Sequence, residues 1–293
     1  MMSKLETMIS EEQRQPDAWS AQEAGEVAEL NEMLEVAVVR TTTVPDDYLR
    51  YLDVQADNPA FSSANIMLAL AQNPDVSMMR TMQGWTKLGR SVIAGEEGLK
   101  IRLTDAYAKV GRQYTGFRIG RAFDIGQTEG FPMSTSSPLE DHTSKMDIAL
   151  RQMIRMSPVP IQTTVDSSIE AAYDPHEKVI LLSADLSDTE AFAALGREIF
   201  HAATHADNRM IEYNAMENVL DAESVSYMLC RRYGIPREYP EASDVGAFYT
   251  DMDAKDRSSI VEGMYKSFRS MERSIQKELE PPLQSRINRG QSR

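Results

Sequence analysis

Apolar and polar positions along the chain change texture several times. Leu30, Leu34 and Val38 recur at i, i+4 and i+8, which predicts a helix over about 22–38. Thr43-Val44-Pro45-Asp46-Asp47 reads as a helix start, with proline and carboxylates in the first turn, and predicts a second helix over 46–54. A third, over 62–72, is capped by Ser62 or Ser63 and closed by Asn73-Pro74. Between Trp85 and Phe123 the apolar runs shorten and glycine separates them. Val92-Ile93, Gly95-Glu-Glu-Gly98 and the alternating Leu99–Leu103 read together as a β-hairpin. Phe117–Ile119 and Ala122–Ile125 are further strand candidates. After a Ser/Pro-rich stretch, the pattern predicts a helix over 145–156, strands over 161–165 and 179–182, and helices over 188–206, 217–233 and 254–279. The second of these last helices stops at Arg231-Arg232, with Gly234 and Pro236 just beyond.

This order predicts an α+β protein of two domains. An acidic extension (1–43) precedes a helix-plus-β-hairpin domain (44–132); a linker (133–142) leads to a mainly helical domain with a small sheet (143–280), and the tail (281–293) is expected to be disordered. The length of 293 residues accommodates two such domains.

Charge sharpens the picture. Lys plus Arg number 31 against 45 for Asp plus Glu, a net charge of −14, which excludes a uniformly basic nucleic-acid coat. Residues 80–121 nevertheless carry +6, and this island also holds Trp85, Tyr107, Tyr114 and Phe117, with Phe123 just beyond. Basic side chains interleaved with aromatics suit a single strand, whose phosphates need cations and whose bases stack. The competing reading makes Trp85 and Phe123 core residues and the cations a solvated face. Asn65 and Gln72 lie seven residues apart on one helical face, placed either to reach a nucleotide edge or to cap the hairpin. One cysteine, Cys230, excludes an intramolecular disulfide; with no secretory succession at the N-terminus and no run of about 20 apolar residues, the expected compartment is reducing cytoplasm, without membrane insertion.

Two helices carry candidate chemistry. In Arg197-Glu198-Ile199-Phe200-His201-Ala-Ala-Thr-His205, positions 197, 201 and 205 share one helical face with Glu198 beside them, opposite a stripe of Phe192, Leu195, Ile199, Ala203 and Ala206. The polar face is either solvated or a site. On the next helix Glu223 shares a face with Met216, Val219, Leu220, Tyr227 and Cys230, where a partly desolvated carboxylate needs a metal, a cation or several donors.

Glu-x-x-His on one helix, followed by Ala222-Glu-Ser-Val-Ser-Tyr-Met-Leu-Cys-Arg231 on the next, resembles the zinc-metallopeptidase-like domain of ArdC-type antirestriction proteins and the related ImmA/IrrE peptidases. Ala171–Leu182 resembles the strand pair before that helix, and Phe61–Pro74, Trp85–Val92, Gly95–Ile101 and Phe123–Thr128 resemble the single-stranded-DNA-binding domain of ArdC-like proteins. The likeness covers roughly half the chain. It implies a zincin-like second domain in which His201 matches a zinc ligand, Glu223 another, and Glu198 the general base. It also implies DNA contacts, for which Asn65, Gln72, Trp85, Lys87, Arg90, Lys100, Arg102, Arg118 and Arg121 are the candidates.

The motif departs from the family where the first zinc ligand is due, because Arg197 stands there and has no lone pair for a metal. Either zinc shifts to His201, His205 and Glu223, or the guanidinium replaces the metal in a bidentate pair with Glu223. The reading that results is a single-stranded-DNA-binding protein of a mobile element, serving antirestriction or conjugation, whose peptidase-like domain is a pseudoenzyme without zinc. Its rivals are an active zinc metallopeptidase on the shifted ligand set with Glu198 as base, and an acidic interaction or DNA-mimic protein that engages a protein partner through residues 1–43.

Overall fold

The computed structural model describes residues 18–109, 112–133, 137–166, 169–208 and 213–280. The first part of the acidic extension, residues 1–17, and the tail 281–293 lie outside the described residues. Three helices come first: α1 (Ala18–Thr41), α2 (Pro45–Asp57) and α3 (Ser63–Gln72). Pro45 opens α2 with Asp46 and Asp47 in its first turn, and the Ser62 hydroxyl caps α3 by accepting the Asn65 amide. There follow β1 (Met79–Arg80), α4 (Met82–Lys87), β2 (Arg90–Val92), β3 (Leu99–Lys109), β4 (Arg112–Asp124) and β5 (Thr128–Gly130).

The hairpin is not where the glycines suggested. β3 pairs with β4 from Leu99 opposite Ala122 to Lys109 opposite Arg112, whereas β2 pairs with β5. The six residues from Ile93 to Gly98 form a connection between two sheets rather than a tight turn, because the three residues of β2 find their partner some forty positions downstream. In the sheet of order β1-β4-β3, Leu99, Ile101 and Leu103 share a face with Ala122 and Gly120 and turn toward the core; Gly120 admits no side chain, since a Cβ there would lie 2.5 Å from Leu103. Lys100, Arg102 and Thr104 share the other face with Arg121, Ile119 and Phe117.

The second half comprises α5 (Ser144–Met156), β6 (Ile161–Thr164), β7 (Ala171–Asp174), β8 (Val179–Ser183), α6 (Asp188–Asn208), α7 (Val219–Arg232), a single turn α8 (Val245–Phe248) and α9 (Ala254–Leu279). β8 lies between β6, parallel to it, and β7, antiparallel. This sheet packs on α6, which packs on α7.

One hydrophobic core runs from Leu30 in α1 to Ile275 in α9. α2 lies on α7, where Tyr48 Oη and Ser224 Oγ are 2.8 Å apart in the buried interface, and the Tyr227 hydroxyl donates to Asp53 at 2.6 Å. Arg231 on α7 reaches Asp53 at 3.1 Å and Asp57 at 2.9 Å. α9 touches both halves, since the Ser63 hydroxyl at the start of α3 donates to Glu262 at 2.5 Å while Phe268, Met271 and Ile275 are buried in the shared core. Fixing α3 and α7 against common helices sets the hairpin and the Glu223 pocket in one framework. Among the described residues no helix is long and apolar enough to cross a membrane.

Candidate functional site

The polar face of α6 is enclosed, not solvated: Glu198 is 4% exposed and His201 5%, while Phe192, Leu195 and Ile199 line the opposite side of the helix. Arg197 extends its guanidinium across the space between α6, α7 and β7. Its Nε donates to Glu198 at 2.7 Å, one Nη to Glu223 at 3.2 Å, and the other Nη to the Ala171 carbonyl at 3.5 Å. The second oxygen of Glu223 accepts from Arg237 at 2.5 Å, and the second oxygen of Glu198 accepts the Tyr173 amide at 2.7 Å. The expected bidentate Arg197–Glu223 pair is therefore corrected to a split one: Arg197 bridges two carboxylates, and Glu223 is clamped by two arginines. Each buried charge thereby acquires partners, which is the condition for keeping it inside.

The histidines are held by tyrosines. His201 Nδ1 and Tyr213 Oη are 2.7 Å apart, as are His205 Nδ1 and Tyr173 Oη, and the Tyr213 ring stacks on His205 with centroids 5.1 Å apart. The shifted ligand set His201, His205 and Glu223 is not assembled; among the described residues no three His, Cys, Asp or Glu side chains gather for a metal ion. Zinc does not fit the donors present, because both oxygens of Glu223 are bound to guanidinium groups, Arg197 at one and Arg237 at the other, and neither guanidinium has a lone pair for a metal.

Burial pushes the His201 pKa down to about 4, the Arg197 charge pushes the same way, and Glu223 opposes them. Burial likewise raises the Glu198 pKa above the ordinary carboxylate value against the pull of Arg197. His201 is thus neutral in the fold, and the unfolded chain takes up its proton first as pH falls. Its contribution to stability is complete above pH ~6.5, declines as pH approaches 4, and amounts to about 2–3 kcal/mol. Urea midpoints measured from pH 7.5 to 4 are expected to fall more steeply in the wild type than in His201→Gln; parallel curves would contradict the neutral, buried imidazole.

Sequence reasoning missed Arg237, Tyr173 and Tyr213. Arg237 reaches Glu223 because the chain reverses at Gly234, whose φ of 69° and whose contact with Pro138, 2.8 Å from where a Cβ would lie, both demand glycine. The stop after α7 signalled the turn but not its partner. Met216 does not belong to the buried stripe around Glu223, being 72% exposed at the preceding single 3₁₀ turn.

The candidate DNA contacts separate into supports and surface. Asn65 pairs with the Arg102 backbone through both amide atoms, at 3.0 and 2.8 Å, and Gln72 pairs with the Lys100 backbone in the same way, at 2.9 and 2.8 Å. α3 thus covers the outer edge of β3 as another strand would, and these two amides cap the hairpin instead of facing a nucleotide. Trp85 is wholly buried with its Nε1–H on the Phe123 carbonyl at 2.9 Å, so it offers no stacking face. Arg90 donates to Thr128 and the Phe131 carbonyl and ties β2 to β5. Lys87, Arg118 and Arg121 are exposed, although Arg121 also donates to the Gly98 carbonyl at 2.7 Å. Lys100 is half-buried, and the Arg102 guanidinium lies 3.9 Å from the centre of the Phe117 ring, itself 48% exposed. The Tyr107 and Tyr114 side chains lie outside the described residues, though their backbones pair across the hairpin.

A hairpin sheet edged by a helix, followed by a small sheet on which one helix presents Glu-x-x-His toward a carboxylate of the next, defines the class. Its solved counterparts include two crystal structures of the antirestriction ArdC protein from the R388 plasmid. The Mn(II)-bound one has a TM-score of 0.50 at 17% identity, over 77% of this chain and 88% of that one. The metal-free one has a TM-score of 0.49 at 16% identity, over 74% and 84%. The chain has an ArdC-like α+β fold. No family model and no curated protein matches its sequence.

Proposed function

We propose that this protein binds single-stranded DNA through the outer face of the β3–β4 hairpin, in an antirestriction role on a mobile element, and that its peptidase-like domain is a pseudoenzyme in which Arg197 has taken the bridging place of zinc. The observation that carries the binding reading is the Arg102–Phe117 stack: an exposed aromatic ring under a guanidinium, beside Lys100 and Arg121, in a chain whose net charge is −14. A base stacks on the ring while the cations take its phosphates. The antirestriction role is supported by the likeness of the fold to that of the antirestriction ArdC protein.

The test is fluorescence anisotropy with a labelled oligothymidylate. Binding is expected to be micromolar or weaker, tolerant of sequence and steeply weakened by salt. Phe117→Ala is expected to weaken it about tenfold, the loss of one stacked base. Salt-independent binding, or equal affinity of the variant, would reject the hairpin as the binding face. Survival of unmodified incoming DNA in a restricting host, with and without this chain, tests the biological role.

A further inference from the structure

The extended basic island of the sequence ends at Arg121, but the fold builds another cationic surface in the acidic half of the chain. On α9, Lys266, Arg269, Arg273 and Lys277 follow one another at spacings of three, four and four residues, one stripe along three turns. With Tyr265, Ser270 and Ser274 they line a groove of about 430 Å³ that has no carboxylate in its wall. Arg269 is neutralised by the buried Glu272, and Lys266 reaches Glu262 only at 3.9 Å. Arg273 and Lys277 have no hydrogen-bond or ion-pair partner among the described residues. The neighbours of Arg273 at three and four positions along the helix are Arg269, Ser270, Gln276 and Lys277; with Arg269 taken up by Glu272, Arg273 and Lys277 are left as adjacent cations one turn apart. The exposed Arg273 and Lys277, without an acid at three or four positions from Arg273, present positive charge to solvent in a protein that is otherwise acidic.

We infer that the α9 groove is a second binding track for the phosphate backbone of single-stranded DNA. This rests on the proposed function and extends it to a surface outside the matched hairpin. From Lys266 to Lys277 the helix spans about 16 Å, the length of roughly five phosphates at the ~3.4 Å rise of a stacked strand. The hydroxyls of Ser270 and Ser274 supply neutral donors of the kind that position phosphates; Ser274 Oγ accepts from Gln152 at 2.7 Å, which leaves its own hydrogen free to donate. The groove begins beside α3. Glu262, one turn before Lys266, holds Ser63 at the start of α3, and Tyr265 donates to the Pro59 carbonyl at 3.3 Å. α3 is the helix whose Asn65 and Gln72 fix Arg102 and Lys100, so the two cationic surfaces are carried by elements packed on each other.

The experiment titrates the full chain with labelled twenty-residue oligothymidylate between 50 and 200 mM salt, comparing the wild type, Phe117→Ala, and the triple variant Lys266→Gln/Arg273→Gln/Lys277→Gln. The replaced side chains are exposed, and circular dichroism checks that the triple variant melts as the wild type does. Each lost phosphate contact on a single strand removes about 0.7 from the slope of log K against log salt, so the triple variant is expected to be shallower by about 2 and at least about tenfold weaker at 50 mM salt. Phe117→Ala is expected to lose affinity with its slope unchanged. An unchanged slope in the triple variant beside a normal Phe117→Ala defect would overturn the α9 track and leave the hairpin reading standing. No binding by the wild type at 50 mM salt would overturn both.

Discussion

Arg197→Met is expected to cost the fold about 3–5 kcal/mol, the penalty for removing one partner from a buried ion pair. The guanidinium is 16% exposed and Glu198 6%, so solvent cannot take over for the lost cation. Glu198 would keep only the Tyr173 amide, and Glu223 only Arg237. For a chain of this size the loss corresponds to a melting temperature lower by about 10 °C. Arg197→Lys should recover only part of it, because an ammonium is a point charge and cannot address Glu198, Glu223 and the Ala171 carbonyl together. Adding Glu198→Gln to Arg197→Met should be less damaging than the sum of the single changes, with a coupling of more than about 1 kcal/mol. A cost below about 1 kcal/mol for Arg197→Met would mean that the three-element bridge does not hold the pocket together.

Elements specified by local physics were legible in the sequence. α9 occupies Ala254–Leu279 as its periodicity predicts, α3 starts at the Ser62 cap, and α2 starts at Pro45. Strand partnership was less so, since pairing depends on contacts remote in the chain: Gly95 and Gly98 resembled a hairpin turn, yet β2 closes on β5 and β3 pairs with β4 out to Lys109 opposite Arg112. The same distinction governs the candidate site. The contact of Arg197 with Glu223 was among the alternatives the sequence offered, whereas the share of the guanidinium held by Glu198 and the arrival of Arg237 and Tyr213 depend on the tertiary packing. For Asn65, Gln72 and Trp85 the residue type suited either a ligand or a support; only the position of β3 and the Phe123 carbonyl decided for support. The α9 stripe was hidden because its cations are interspersed in sequence with Glu262, Glu272 and Glu278, and only the helical fold shows that Glu262 and Glu272 are taken up by Lys266 and Arg269 while Arg273 and Lys277 stand beside each other.

If the guanidinium holds the place of a metal, returning histidine to position 197 should return the metal. Wild-type protein, refolded or dialysed with zinc, is expected to retain none after desalting, because Arg197 and Arg237 occupy both oxygens of Glu223. In Arg197→His the new imidazole and His201 stand one turn apart on the same face, and Glu223 regains the oxygen now bound to Arg197. Arg237 stays on the other oxygen and Tyr213 on His201 Nδ1, which are orienting contacts of the kind that metal ligands ordinarily receive, and which leave His201 Nε2 free. Elemental analysis should find near one zinc per chain in the variant, and a zinc concentration about a hundredfold above Kd should stabilise it by ~2.7 kcal/mol, or roughly 5–10 °C in melting temperature. Adding His201→Ala should abolish both effects. Stoichiometric zinc in the wild type, persisting in His205→Ala but lost in His201→Ala, would instead show that a metal displaces the arginine clamp, and the pseudoenzyme reading would fall. Zinc absent from both proteins would mean that the pocket has closed around its ion pairs beyond what a single substitution reopens, with Arg237 as the next residue to remove.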